Sequence, residues 1–230
     1  MNRGYKILFG ILLLLGGVYA ITGASVSTPA FLTRWAATTA GSVTTEGGNI
    51  SSTNLTSGAL TDRWAGFFGN VTGSIYLTDN SGGTTNYLYT WSAPDPTAGE
   101  VCASEASAFN WASVNTATAV QVNTAWSFGA APDNATNTFT DSTCDLTFAQ
   151  GSVTNTADTA TNQGNNVNDT FQTCVVGNTT NTAETDFAFC TLINSTGKNY
   201  LSQSADYEII VPTTYGAGQY ETYYFYVEID

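Results

Sequence analysis

The chain has 230 residues, of which 42% are apolar, so it is long and apolar enough to bury one sizeable core. Only 10% of its residues are charged, and 18 acidic residues against 5 basic ones give a formal net charge of -13. A surface so poor in cations does not neutralise phosphates, which excludes nucleic acid and anionic lipid headgroups as partners. Thr, Ser, Asn and Gly dominate the polar residues, a composition typical of a secreted protein rich in β-strands.

The N-terminus has the layout of a signal peptide. The cations Arg3 and Lys6 precede an apolar stretch over residues 7–18, and small residues follow it. We interpret residues 1–24 as a signal peptide or, if they stay uncut, as a membrane anchor, because the segment is just long enough to span a bilayer. Either interpretation predicts a secreted or cell-surface protein that contacts a membrane only through this segment.

Three patterns of cleavage are open. Ala20 and Ala24 each stand where a signal peptidase accepts a small residue, so cleavage after either one fits the sequence. Prepilin-type cleavage at Arg3-Gly4 is the third pattern, and it is disfavoured because Lys6 would lie inside the resulting apolar helix.

Residues 25–42 are interpreted as a linker or arm, and residues 43–230 as one β-sandwich domain. The apolar residues of the arm, together with its proline, are Val26, Pro29, Phe31 and Leu32. Apolar residues need cover, and a sheet tolerates proline only at its edge. The arm is therefore expected to add to a sheet edge, including the edge of a neighbouring copy.

Strand signals recur along the domain. Residues 67–78 alternate in polarity and predict one half-buried strand, and the turn-forming residues 79–85 followed by the aromatic run 87–91 predict a hairpin. Further strands are predicted at 99–103, 171–176, 187–193, 207–211 and 223–229. Residues 106–129 leave room for one short helix, and residues 134–164, rich in Asn, Thr and Asp, are expected to form long loops with short strands.

In the last predicted strand, Phe225 and Val227 alternate with Tyr224 and Tyr226. The first two are expected to face the core, and the tyrosines to point outwards, where a neighbouring subunit can pack on them. About eight to ten short strands between turn signals predict an all-β fold. We expect an antiparallel β-sandwich, Ig-like or jelly-roll-like, after the N-terminal hydrophobic segment.

The cysteines predict two disulfides, because an even number in an exported chain usually pairs. They are Cys102, Cys144, Cys174 and Cys190. The sequence has no CxxC pair and no histidine, which argues against a zinc site. Of the three pairings that four cysteines allow, Cys102 with Cys144 and Cys174 with Cys190 is preferred, because it closes the shorter loops.

Asparagines in Asn-x-Ser/Thr sequons are predicted glycosylation acceptors if the host modifies exported proteins. They are Asn49, Asn54, Asn70, Asn134, Asn168, Asn178 and Asn194. The alternation around residue 70 supports one of them, since Asn70 and Thr72 fall on the polar face of the predicted strand.

The start of the domain contains the segment W-A-G-F-F-G-N-V-T-G at residues 64–73, with G-G-N-I before it at residues 47–50. Together with the closing Y-Y-F-Y-V-E-I run, this segment resembles a family of uncharacterised archaeal exported proteins that carry the motif W-x-G-[FY]-[FY]-G-N-[VI]-[ST]-G. The resemblance frames most of the chain but leaves residues 105–170 without a counterpart. It implies an archaeal surface protein and carries over no catalytic residue.

Little catalytic chemistry is available to this chain. With no histidine, the Ser-His-Asp and Cys-His arrangements are excluded, and nothing around Lys198 marks it as a base. Paired carboxylates of the glycosidase type remain an alternative, with Asp95 and Glu100 or Glu184 and Asp186 as pairs. We interpret these acids as solubilising loop residues, so no enzyme activity, catalytic residue or cofactor-binding residue is predicted.

No metal or cofactor is predicted, although a structural calcium site is left open because loop aspartates offer oxygen ligands. These aspartates are Asp133, Asp141, Asp145, Asp158 and Asp169. Several aromatic residues are interpreted mainly as core, with a sugar-binding platform as the alternative. They are Trp64, Phe67, Phe68, Tyr76, Tyr87, Tyr89 and Trp91.

The sequence thus predicts a non-enzymatic structural protein of the cell surface, a subunit of an extracellular filament or surface coat that associates with itself through edge strands. The alternative is a monomeric surface adhesin or glycan-binding module, with a glycan or another cell surface as its partner.

Overall fold

The computed structural model describes residues 21–27, 42–78, 87–91, 99–163, 169–214 and 220–229. Within these ranges, antiparallel sheets pack together and the helices are short, which confirms the predicted all-β sandwich. A search of the same ranges finds no helix long and apolar enough to span a bilayer. The predicted hydrophobic segment at residues 7–18 lies outside the described residues.

The described strands have two to six residues, except for three longer ones between residues 141 and 178. They are β1 (Thr22–Gly23), β2 (Trp64–Gly69), β3 (Ile75–Thr78), β4 (Tyr87–Trp91), β5 (Glu100–Ser104), β6 (Val114–Thr116), β7 (Asp141–Phe148), β8 (Gly151–Asn162), β9 (Asp169–Asn178), β10 (Phe187–Leu192), β11 (Tyr207–Pro212) and β12 (Tyr224–Glu228). The helices are α1 (Ala119–Ala125) and α2 (Ala135–Thr138), with single turns of 3-10 helix at Trp111–Ser113 and Glu184–Asp186.

The main sheet has the strand order β1-β12-β5-β10-β9-β8-β7, and β6 pairs with β9 beside β8. All these pairings are antiparallel. Two smaller ladders, β2 with β11 and β3 with β4, complete the described strands. The pairing of β3 with β4 confirms the predicted hairpin.

The centre of the main sheet is covered on both faces. In β10, the buried Phe189 lies in one apolar cluster and its neighbour Cys190 in the other, because successive side chains of a strand point to opposite faces. Leu146 of β7 belongs to the cluster on the cysteine face. On the opposite face, Ile209 of β11 and Trp126 at the end of α1 close the core.

The two disulfides lie in this centre, and their pairing differs from the preferred one. Cys102 is bonded to Cys190, and Cys144 is bonded to Cys174. Cys102 and Cys190 stand directly opposite each other on the adjacent strands β5 and β10, with their Cα atoms 4.0 Å apart. The preference for the shorter loops was wrong because strand register, and not sequence separation, decides which cysteines meet.

The predicted strand at residues 67–78 is two strands in different ladders. The carboxylate of Asp206 accepts a hydrogen bond from the backbone N–H of Val71, 2.8 Å away, just after β2 ends. Gly73 then lies so close to the Ile229 side chain that an added Cβ atom would overlap its Cδ1 atom. At these contacts the chain leaves the β2 ladder before it enters β3. The polarity of the sequence alternates regularly across this break, so the break was not predicted.

The region 134–164 was predicted as long loops with short strands. It contains α2, β7 and the longest described strand, β8, so the prediction underestimated its strand content. Its polar side chains form hydrogen bonds within the fold. Asp158, for example, is buried and accepts bonds from the backbone N–H groups of Thr143 and Cys144. The short helix allowed at 106–129 is present as α1, which begins at a capping box formed by Thr118 and Gln121.

Both faces of β12 are covered, so the predicted division into an inner and an outer face is wrong. Tyr226 is buried beside Trp111, and its hydroxyl group donates to the carbonyl oxygen of Ala106 at 2.6 Å. Glu228 is buried on the same face, whereas Tyr224 is exposed. The prediction failed because Trp111 and Phe148 pack over the face that carries Tyr226.

Candidate functional site

The densest group of exposed apolar side chains in the described ranges lies on the β3–β4 ladder, which we call the aromatic hairpin. Its six large exposed side chains, with exposed fractions between 46% and 80%, are Tyr76, Leu77, Tyr87, Leu88, Tyr89 and Trp91. Soluble monomers rarely expose contiguous apolar patches of this kind, so the hairpin is a candidate interaction surface.

The rings of the aromatic hairpin are arranged in pairs. Tyr76 stacks on Tyr87 with ring centroids 4.2 Å apart, and Tyr89 meets Trp91 edge-on at 4.9 Å. Leu77 stands opposite Tyr89 in the ladder. The ladder slips by one residue at this point, because the next pair joins Thr78 to Tyr87. The strands therefore present flat rings and aliphatic side chains without any charged group.

The root of the aromatic hairpin is held at one end of the main sheet. Gly73, just before β3, packs against Ile229. Gly99, just before β5, lies so close to the backbone of Glu228 that an added Cβ atom would overlap its carbonyl oxygen. The hairpin therefore leaves the body beside the C-terminal end of β12.

A second candidate surface is the sheet edge formed by β1. Thr22 and Gly23 stand opposite Val227 and Tyr226, and the backbone N–H of Ala24 donates to the carbonyl oxygen of Phe225 at 2.8 Å. This short segment places one side chain in the core, since Ile21 is only 6% exposed.

Of the predicted arm, Val26 is exposed, and Pro29, Phe31 and Leu32 lie outside the described residues. The strand that adds to the edge comes from residues before Ser25 and not from the arm itself. The strand β1 was not predicted, because residues 1–24 were assigned to the export signal.

The other predicted platform aromatics are half-buried, and two of them, Trp64 and Phe67, pack against the core. Trp64 packs edge-on against Phe128 and Phe139, both at 5.5 Å, and its indole N–H donates to the carbonyl oxygen of Asp133. Phe67 packs against Phe225 at 5.1 Å. Phe68, the remaining member of β2, contacts Tyr200. Only the four aromatic rings of the hairpin keep the exposure that a platform needs.

Three carboxylates that no sequence pattern joined meet at one end of β5. Glu105, Glu184 and Glu221 place one oxygen each within 4.8 Å of the others, the only such group in the described ranges. Burial, reinforced by Glu221, raises the pKa of Glu105 to about 8. Burial also raises the pKa of Glu184. The oxygen of the Tyr223 hydroxyl lies 3.2 Å from Glu105 Oε1, and the hydroxyl donates to the carbonyl oxygen of Pro212.

The acid pairs considered for catalysis are placed differently. Glu100 is buried in β5 opposite Glu228, and Asp95 lies outside the described residues. Burial would raise the pKa of Asp186, but bonds from backbone N–H groups, those of Ala183 and Thr182, outweigh it and lower the pKa. Asp186 therefore closes a turn.

The aspartates considered for calcium are also engaged separately. Asp133 accepts bonds from the Thr61 hydroxyl and from the Arg63 guanidinium group, and these contacts lower its pKa. Asp145 accepts from the backbone N–H of Asn155. Asp141 stands opposite Asp158 in the β7–β8 ladder, and the Asp169 side chain is outside the description.

The asparagines of the sequons differ in their exposure. Asn49, Asn54 and Asn70 are exposed. Asn194 is half-buried, and its side-chain oxygen accepts hydrogen bonds from the backbone N–H and the hydroxyl group of Thr196. Asn168 lies outside the described residues. Two others, Asn134 and Asn178, are buried.

Asn134 is also occupied. Its side-chain oxygen accepts from the backbone N–H of Asn137 at the start of α2, and its amide donates to the carbonyl oxygen of Gly129.

Comparison of the chain with protein-family models, with curated proteins and with solved structures found no significant match. The candidate surfaces therefore have to be judged by their own geometry and chemistry.

Proposed function

We propose that this protein is a non-enzymatic structural subunit of a cell surface, which assembles into a filament or coat by exchanging its first strand between copies. The observation that carries the proposal is the edge of the main sheet. There, β12 is paired on its outer side by a two-residue strand, and a single buried side chain, Ile21, fixes that strand in the core.

The position of β1 in the sequence suits such an exchange. The next described strand after Gly23 begins only at Trp64, so β1 stands far from the rest of the fold in sequence. An identical segment from a second copy makes the same backbone bonds and fills the same site as Ile21. Strand exchange therefore connects copies at little cost in contacts.

The compartment supports this role. The two disulfides indicate an oxidising environment. We propose export to the cell surface with cleavage after Ala20, the position in the signal-peptide layout that leaves Ile21 and β1 on the mature chain. The resemblance to archaeal surface proteins supports the same destination.

Cysteines at Thr22 and Val227 test the exchange, because the two residues stand opposite each other across β1 and β12. Purified assemblies of T22C/V227C should give a ladder of covalent oligomers on non-reducing gels. The matched control is T147C/S152C, an exposed pair across β7 and β8 that lies within one hairpin and should give monomers only. Assemblies in which T22C/V227C gives only internally bonded monomers would contradict strand exchange.

The aromatic hairpin favours a second candidate function, a glycan-binding module. Exposed rings such as Tyr89 and Trp91 suit the flat faces of sugars. Binding of neutral oligosaccharides to the dispersed subunit, measured by calorimetry and lost in Y89S/W91S, would support this function over assembly.

A further inference from the structure

We propose that the aromatic hairpin is a second contact between copies of this chain, in which the outer edge of β3 pairs with the outer edge of β3 in another copy. The proposal rests on the assembling role described above and concerns a surface on a different ladder from β1.

The hairpin needs a cover. An isolated two-stranded ribbon is at best marginally stable in water, and a third strand or a packing surface is required for independent stability. Within the described chain, β3 and β4 pair only with each other. Leu77, Tyr89 and Trp91, which share one face of the ladder, remain about half exposed.

The edge of β3 is the better one for pairing. Between the pair Leu77–Tyr89 and the pair Thr78–Tyr87, β4 advances by two residues and β3 by one. The extra residue is Leu88, so the irregularity lies in β4 and twists its edge. The edge over Ile75, Tyr76 and Leu77 keeps a regular register and can accept an antiparallel strand.

Charge favours a second copy as the occupant. Each chain carries a formal net charge of -13, so two copies repel each other wherever acidic residues meet. The strands of the aromatic hairpin contain no charged residue. They therefore offer a place where two like-charged chains can touch without facing carboxylates.

Other occupants fit less well. A lipid bilayer suits Tyr and Trp rings but leaves the peptide groups of an open strand edge without partners. A saccharide stacks on rings but does not match the regular row of backbone groups along Ile75–Leu77. A symmetric β3–β3 pairing covers the edge and brings the apolar faces of both ladders into one four-stranded sheet.

The test uses the dispersed T22C/V227C subunit, which is oxidised at high dilution and separated from covalent oligomers. In these molecules the pair is closed within one chain, which prevents β1 exchange. Sedimentation velocity at low and high protein concentration should then show a reversible dimer. Hydrogen exchange should show that the amides of β3 become protected as the concentration rises.

In this background, L77K should weaken the dimer by about fivefold, because the symmetric pairing brings two lysine ammonium groups onto the same face of the joined sheet, where like charges on neighbouring strands repel. The matched control is L192K, a strand leucine of similar exposure, 52% against 48%, which should leave the dimer unchanged.

Monomers at every concentration, or equal weakening by L77K and L192K, would overturn the proposal. Protection of β3 amides that appears only when phosphatidylcholine vesicles or neutral oligosaccharides are added would assign the hairpin to lipid or sugar instead. None of these outcomes affects β1 exchange, which is read from the cysteine ladder, so the two proposals fail separately.

Discussion

Two regions of the molecule differ in burial although both are rich in apolar and aromatic residues. The central strands β5, β9 and β10 are buried, and the aromatic hairpin is exposed. In β10 the segment F-A-F-C-T is buried on both faces, whereas the aromatic residues of β4 are exposed on both. The difference lies in what the rest of the chain places over each strand. Helices, the β2–β11 ladder and the β7–β8 hairpin cover the centre, and nothing in the described chain covers the aromatic hairpin.

Truncating one ring in each region tests this comparison with the largest expected effect. Phe189 is fully buried and packs against Trp126 and Phe139, so F189A should lower the free energy of unfolding by about 3–5 kcal/mol. Y89A should change it by less than about 0.5 kcal/mol, because Tyr89 is 58% exposed. Urea unfolding of the dispersed subunit measures both.

A loss for Y89A as large as that for F189A would mean that the hairpin belongs to the cooperative core. The comparison between the two regions would then have to be abandoned.

Removing one disulfide should have the next largest effect on the free energy of unfolding. C144A/C174A opens a loop with a sequence separation of 30 and should cost about 3–4 kcal/mol in the loop-entropy description. The hairpin carries no disulfide, so hydrogen exchange at Tyr89 should be unchanged while exchange at Phe189 accelerates. Uniform acceleration at both residues would show that the regions unfold together.

The cluster of Glu105, Glu184 and Glu221 extends the comparison to the pH dependence of the free energy of unfolding. The pKa of Glu105 is raised to about 8, so the folded carboxyl keeps its proton in an interval where the unfolded one, with an ordinary value of 4.5, has lost it. The folded state binds more protons there, so the free energy of unfolding should fall as pH rises from about 4.5 to 8.

Replacing this carboxyl by an amide should remove part of that fall. E105Q should be more stable than the wild type at pH 9 and similar to it at pH 4, measured as Tm at both values. The exposed E46Q serves as the control and should change Tm little at either pH. A Tm difference of E105Q that does not depend on pH would contradict the raised pKa.

Glycans should be attached to exposed sequons and be absent from buried ones. This prediction has the smallest expected effect on stability. If the native host adds N-glycans, peptide mapping should find them at Asn49, Asn54 and Asn70. Asn134 should be bare, because its amide is buried and bonded to Gly129. A glycan at Asn134 on folded native protein would refute the placement of that side chain.

Individual strands were predictable because they depend on neighbours in the sequence. The alternation and turn signals predicted the β3–β4 hairpin, and the apolar runs predicted β9, β10, β11 and β12 within a few residues. Short strands were predicted in the region of β7 and β8, but their length was not, because polar side chains such as Asp158 are satisfied by backbone groups of the paired strand.

The candidate surfaces were only partly predictable. An edge strand from the N-terminal side was expected, but it is Ile21 to Ala24 and not the arm that pairs with β12. The aromatic rings of the hairpin were interpreted mainly as core. The sequence contains no sign that other elements leave them exposed.

By itself, the sequence determined the class of the fold, the oxidised state of its four cysteines and the absence of histidine-based catalytic arrangements, because composition and alternation can be read along the chain. Only the tertiary structure decided which cysteines pair, which aromatic residues are covered and where Glu105, Glu184 and Glu221 meet. These properties depend on strand register and on the order of strands in the sheet, which join residues far apart in the chain.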